Sequence, residues 1–193
     1  MSKNKKNFYV GLIGSGIIFL LGVLYMMLPN YYGIDYLVKI DVNNLFVSFS
    51  IVYATVNLLM FAFTTKDNLG ESVWICVSSC IVGMINNVLS ILFDGDLALK
   101  LSILLLTGLI TIIKIISISY YRKKNDGIYY LEILLACIIL ITGVVFSLNL
   151  FDETIIQTAE LGFFGVVLGI TSLVENSIRC LLKAPRFLGK IKF

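Results

Sequence analysis

The chain has 193 residues, 59% of them apolar and only 14% charged, with a mean hydropathy of +0.96 and a net charge of +3. Soluble domains carry about 25% charged residues. The contrast excludes a soluble globular domain, a disordered tail, a collagen and a disulfide scaffold, and leaves a polytopic membrane protein.

A bilayer core of roughly 30 Å takes about 20 apolar residues of helix. The sequence offers six such runs in chain order: Phe8–Leu28, Leu45–Thr64, Val73–Phe93, Leu101–Tyr121, Ile128–Leu150 and Leu161–Leu182. Stretches such as IIFLLGVLYMML do not alternate in polarity, so helices rather than barrel strands are expected. The first run follows the cationic MSKNKKN, but it is too long for a signal h-region and no small-x-small site follows it, which predicts an uncleaved first helix. Polar connections are expected at Pro29 to Asn44, Thr65 to Ser72, Asp94 to Lys100, Arg122 to Gly127 and Phe151 to Glu160. The chain reads as one transmembrane domain over 1–193, with a basic tail at 183–193.

Charge sets the orientation. One side of the predicted bundle gathers Lys3, Lys5, Lys6, Lys66, Arg122, Lys123, Lys124, Arg179, Lys183, Arg186, Lys190 and Lys192 against Asp67, Glu71 and Asp126. The other side has only Lys39 and Lys100 against seven acids. Excess Lys and Arg mark the cytoplasmic side, so both termini are expected in the cytoplasm of a cell-membrane protein. The lipid bilayer is the expected partner, and nucleic acid is not.

Glycine-centred segments recur. In the odd runs GVLYMMLP from Gly22, GMINNVLS from Gly83 and GVVFSLNL from Gly143 are spaced by 61 and 60 residues. In the even runs ATVNLLM from Ala54, GLITIIK from Gly108 and GITSLVE from Gly169 are spaced by 54 and 61. Repeats of two helices enter and leave on one side, so they must be parallel. The expected fold is all-α: six transmembrane helices as three parallel-repeated hairpins, at about 8–65, 72–124 and 128–184, around a pseudo-threefold axis. This pattern of a mid-helix glycine, a stop seven residues later and a second helix with a central small residue resembles the HdeD-like acid-resistance membrane proteins. The resemblance spans about residues 8–183. Only the first unit keeps the proline, at Pro29, and Ala54 stands where the other units have glycine. The resemblance implies a bacterial inner-membrane protein with a role in envelope or acid-stress tolerance, and no catalytic residues.

Residue types narrow the chemistry. There is no histidine, which removes the commonest general base and metal ligand. Cys76, Cys80, Cys137 and Cys180 all fall in apolar runs and read as small core residues. No enzyme activity, cofactor or metal is expected. Gly165 and Gly169 form a G-x-x-x-G, suited either to packing within the bundle or to a homo-oligomer face. The costly residues are charges at membrane depth, which normally face protein or water. Lys114 and Glu175 hold equivalent positions, six residues after Gly108 and Gly169, with Met60 in the first unit. Glu132 enters from the fifth helix, and Arg179 follows Glu175 at ion-pair spacing. Two readings stand: an interior polar cluster of Lys114, Glu132, Glu175 and Arg179 serving a small transporter or channel, or snorkelling side chains with a local Glu175–Arg179 pair.

Overall fold

A computed structural model describes residues 3–32, 41–63, 70–123, 128–148 and 154–181. All the described elements are helices: α1 (Lys3–Tyr32), α2 (Val42–Phe63), α3 (Gly70–Leu92), α4 (Gly95–Lys123), α5 (Ile128–Leu148) and α6 (Thr154–Leu181). Each contains an apolar segment of 20 to 25 residues, or about 30–38 Å at 1.5 Å per residue, enough to cross a bilayer. The protein is thus an all-helical, multi-pass membrane protein with six candidate spans. The basic tail from 183 onward, and Asp35 and Asp152 of the expected connections, lie outside the described residues.

The helices run further than hydropathy suggests. α1 continues past Pro29 to Tyr32, where a polar connection was expected. α2 starts at Val42, three residues early, because Asp41 caps it: its carboxylate accepts from the Asn43 backbone N–H at 2.9 Å. α4 starts at Gly95 rather than Leu101, and α6 at Thr154 rather than Leu161. The expected connection from Asp94 to Lys100 therefore shrinks to Phe93 and Asp94. Polar side chains are tolerated in these extra turns because they find each other. Gln157 Nε2 donates to Asp96 Oδ1 at 3.0 Å, and Lys100 and Glu160 line the same small notch.

Each helix packs against its neighbours in the chain, and α6 closes the circle on α1. The closest pairings are α1 with α6, α4 with α5, and α2 with α3; α2 also reaches α4 and α6 across the middle. Small residues explain these approaches, because helices in lipid associate by close backbone packing and interhelical hydrogen bonds. A Cβ on Gly22 would meet the Val166 backbone nitrogen at 2.4 Å and the Gly162 carbonyl oxygen at 2.7 Å. On Gly169 it would meet Phe19 Cα at 2.6 Å. The Gly165/Gly169 motif is therefore spent on α1 inside the same bundle. Gly143 lies against the Thr107 side chain of α4, and Gly83 against Ser50 of α2. A polar seam adds to the α1–α6 contact: Asn176 Nδ2 donates to Ser15 Oγ at 3.0 Å, and the Ser15 and Ser172 hydroxyls lie 2.8 Å apart. Inside, Phe46, Phe49, Phe164, Leu106 and Val82 are fully buried. Outside, Leu20, Leu24, Ile91, Ile112, Leu134 and Ile141 stand exposed, as lipid-facing positions should.

Candidate functional site

The charged residues of the bundle interior meet at one end, where α1 begins and α6 finishes (the terminal end). Lys114 lies near the close of α4, five residues before the edge of its span at Ser119. Glu175 is three residues before the edge of the α6 span at Ile178, and Glu132 three residues after Tyr129 on α5. The antiparallel course of neighbouring helices brings the end of an even helix beside the start of an odd one. Four residues far apart in sequence therefore share a level within about a turn and a half of the ends of their spans.

The fourth is Glu71, in the first turn of α3. Lys114 Nζ stands 2.6 Å from Glu71 Oε1 and 3.2 Å from Glu132 Oε2, and it donates a hydrogen bond to Glu175 Oε2. All four are buried, Glu132 completely and Lys114 with 4% exposure. Neither Lys114 nor Glu132 snorkels to the surface. The Arg179 side chain lies outside the described residues. Glu71 gains further support from its place in the first turn of α3, where the partial positive charge of the helix start favours a carboxylate.

Sequence reasoning gave Glu71 to the boundary and missed it. The signal was nevertheless present: Glu71 precedes Glu132 by 61 residues, the same interval that separates Lys114 from Glu175 and Asp96 from Gln157. Each of the four charged side chains thus has a counterpart 61 residues away in the sequence, and both of those pairs meet at this end.

A cavity of about 40 Å³ adjoins the centre, above the roughly 10–15 Å³ needed to hold a water molecule. Its walls are mixed. Glu71, Lys114, Glu175 and Asn57 form one part, and Met60, Ile110, Ile139 and Leu168 the other. Met60, six residues after Ala54 as Lys114 is after Gly108, lines the same space and supplies an apolar sector, packed on Gly14 of α1.

With all four groups ionised the centre carries a formal charge of −2 inside an apolar bundle. Burying charge without balance is costly, and the ammonium offsets only part of it. Carboxylate oxygens of Glu71, Glu132 and Glu175 lie within 4.8 Å of one another, close enough to share a hard cation, and Lys114 Nζ reaches all three. The arrangement already holds a tethered cation, the Lys114 ammonium, and leaves three clustered carboxylates chemically able to bind a proton or a small cation beside it. No family model, curated protein or solved structure matches this chain.

Proposed function

We propose that the protein is a small, non-enzymatic membrane transporter or channel that moves protons or small cations through the Lys114 centre. One observation carries the reading: a lysine contacting three glutamates at membrane depth, beside a cavity able to hold water. A purely structural role would be served better by apolar residues, since replacing buried ion pairs with packed hydrophobics is often neutral or stabilising. Functional sites are where such charges are normally retained.

The finer architecture belongs to the same proposal. Three parallel hairpins about a pseudo-threefold axis fit the way Gly22, Gly83 and Gly143 each lie against the even helix that precedes them around the ring, α6, α2 and α4. The excess of Lys and Arg at the terminal end supports cytoplasmic termini in a bacterial cell membrane. The same glycine contacts favour a second reading, an HdeD-like protein of envelope or acid-stress tolerance, in which proton handling by the centre would be the protective act.

Flux decides between them and against both. The full chain in liposomes loaded with a pH dye, with the potential clamped by potassium and valinomycin, should dissipate a pH gradient. Glu132→Gln should abolish that flux while leaving the fold intact. Wild-type vesicles as tight as empty ones to protons, sodium and potassium would refute the transport reading. Acid survival of cells lacking the protein, restored by wild type but not by Glu132→Gln, would support the second.

A further inference from the structure

The charged centre occupies one end of the bundle, and a second polar layer occupies the other. There Asn43 Nδ2 donates to the Gly95 carbonyl at 3.1 Å and Gln157 to Asp96 at 3.0 Å. Between the two layers the interior is mostly apolar, and its few buried hydroxyls are small: Ser79 and Thr107 donate to the Ile75 and Ile103 carbonyls of their own helices, and Ser50 packs beside Gly83. The cavity beside Lys114 ends at Tyr53, Ile110, Ile139 and Leu168. Beyond it lie Phe49, Phe164, Leu106 and Val82, each with 0% exposure.

Two rings hold the middle of that layer. Phe49 packs on Phe164 with centroids 6.4 Å apart and a 52° angle between planes. It stacks on Tyr53, one turn nearer the centre, at 5.9 Å and 12°, and tilts against Tyr25 at 6.4 Å. Phe164 in turn meets Phe146 of α5 edge-on. The rings thus tie α1, α2, α5 and α6 together at one level. Their floor is Gly165, where a Cβ would approach Phe49 Cε2 to 2.9 Å.

We propose that Phe49 and Phe164 form a closed hydrophobic gate between the Lys114 centre and the opposite end of the bundle. The inference rests on the transport reading and adds its sidedness: in this conformation the centre communicates with the terminal end alone, through Glu71 at the edge of its span. A dry constriction of this kind blocks ions because water, and with it the ion's hydration, is excluded. Movement of α6 past α1 or α2 would part the rings.

The test uses the full chain in dye-loaded liposomes, with Phe49→Ala, Phe164→Ala and Phe49→Ala/Glu132→Gln, and Gly16→Ala as a control at a site with open space around it. Thermal melts establish which variants fold. Folded alanine variants should leak protons at least about tenfold faster than wild type, the effect of lowering a barrier by ~1.4 kcal/mol. Folded variants leaking at the wild-type rate would overturn the gate. A leak that persists when Glu132→Gln is added supports the seal but removes the centre from the path, so the two proposals fail separately. A second measurement leaves the rings untouched. Leu168→Cys, in a chain without the native cysteines, should react with silver ion, which is small enough for a cavity of about 40 Å³, added at the terminal end, and not with silver added at the other face. Reaction from neither face would overturn the access from the terminal end. Reaction from both faces overturns the gate even where an alanine variant fails to fold.

Discussion

Lys114→Met isolates the electrostatics of the centre. At an effective dielectric of ~20, one ammonium–carboxylate contact at the 2.6 Å of Glu71 contributes about 6 kcal/mol, and one at the 3.2 Å of Glu132 about 5 kcal/mol. Carboxylate oxygens within 4.8 Å of one another repel by at least about 3.5 kcal/mol per pair on the same scale, or at least about 10 kcal/mol for three pairs. Removing the ammonium leaves only the repulsion, which the protein escapes by taking up protons or by unfolding. The measured loss should therefore settle near the ~3–5 kcal/mol typical of breaking a buried pair. At ~2–4 °C per kcal/mol for a chain of this size, that is a drop in Tm of about 6–20 °C. The assay is a thermal melt in detergent or nanodiscs across pH. Adding Glu175→Leu should recover only part of the loss, because Glu71 and Glu132 still face each other. Adding Glu71→Gln, Glu132→Gln and Glu175→Gln together should recover most of it. A Lys114→Met protein melting within about 2 °C of wild type at every pH would refute the electrostatic account, the shift expected of less than ~1 kcal/mol.

Other outcomes follow from the packing and from the charge pattern. Gly22→Leu should cost more than about 3 kcal/mol or abolish folding, because the new side chain meets α6 backbone rather than a movable side chain. Gly16→Ala, with nothing within 4 Å, should be neutral or stabilise by up to ~1 kcal/mol in the same melt. Gln157→Leu should cost about 0.5–1.5 kcal/mol by removing the donor to Asp96, and much less when Asp96→Ala is already present. Single cysteines at Asp35, Asp94 and Asp152 should react with impermeant reagent from the cell exterior; protection of all three would reverse the orientation.

Much of the fold is legible in the sequence because lipid imposes one rule, that every backbone polar group be satisfied within its own segment. That rule makes long apolar runs into helices, and the six expected runs fall on the six spans to within a few residues, apart from the start of α4. The rule is silent about polar turns. Asp96, Lys100, Gln157 and Glu160 read locally as connection, yet they continue α4 and α6 because their partners come from another helix. The candidate site divides in the same way. Lys114, Glu132 and Glu175 were conspicuous because a charge inside an apolar run is costly. Glu71 was not, because a glutamate at the edge of a run looks like any boundary residue. Only its 61-residue interval to Glu132 distinguishes it, and that interval has meaning only once the even helices are seen to end where the odd ones begin.

The contact between α1 and α6 has a consequence for how the protein is made. α1 leaves the ribosome well before α6, the helix it packs against most closely, and Gly22 must wait for Gly162 and Val166, some 140 residues later. At roughly 5–20 residues per second, the glycine face of α1 spends about 7–30 s beside lipid or another protein before its partner exists. Nascent chains stalled before Thr154 should therefore still be cross-linked at Gly22 to lipid or to an insertion factor, and chains stalled after α6 has emerged should not. The same adjacency places the start of α1 and the finish of α6 side by side. A circularly permuted chain, joined there and opened between α2 and α3, should assemble the same ring with its closing step moved to a different pair of helices.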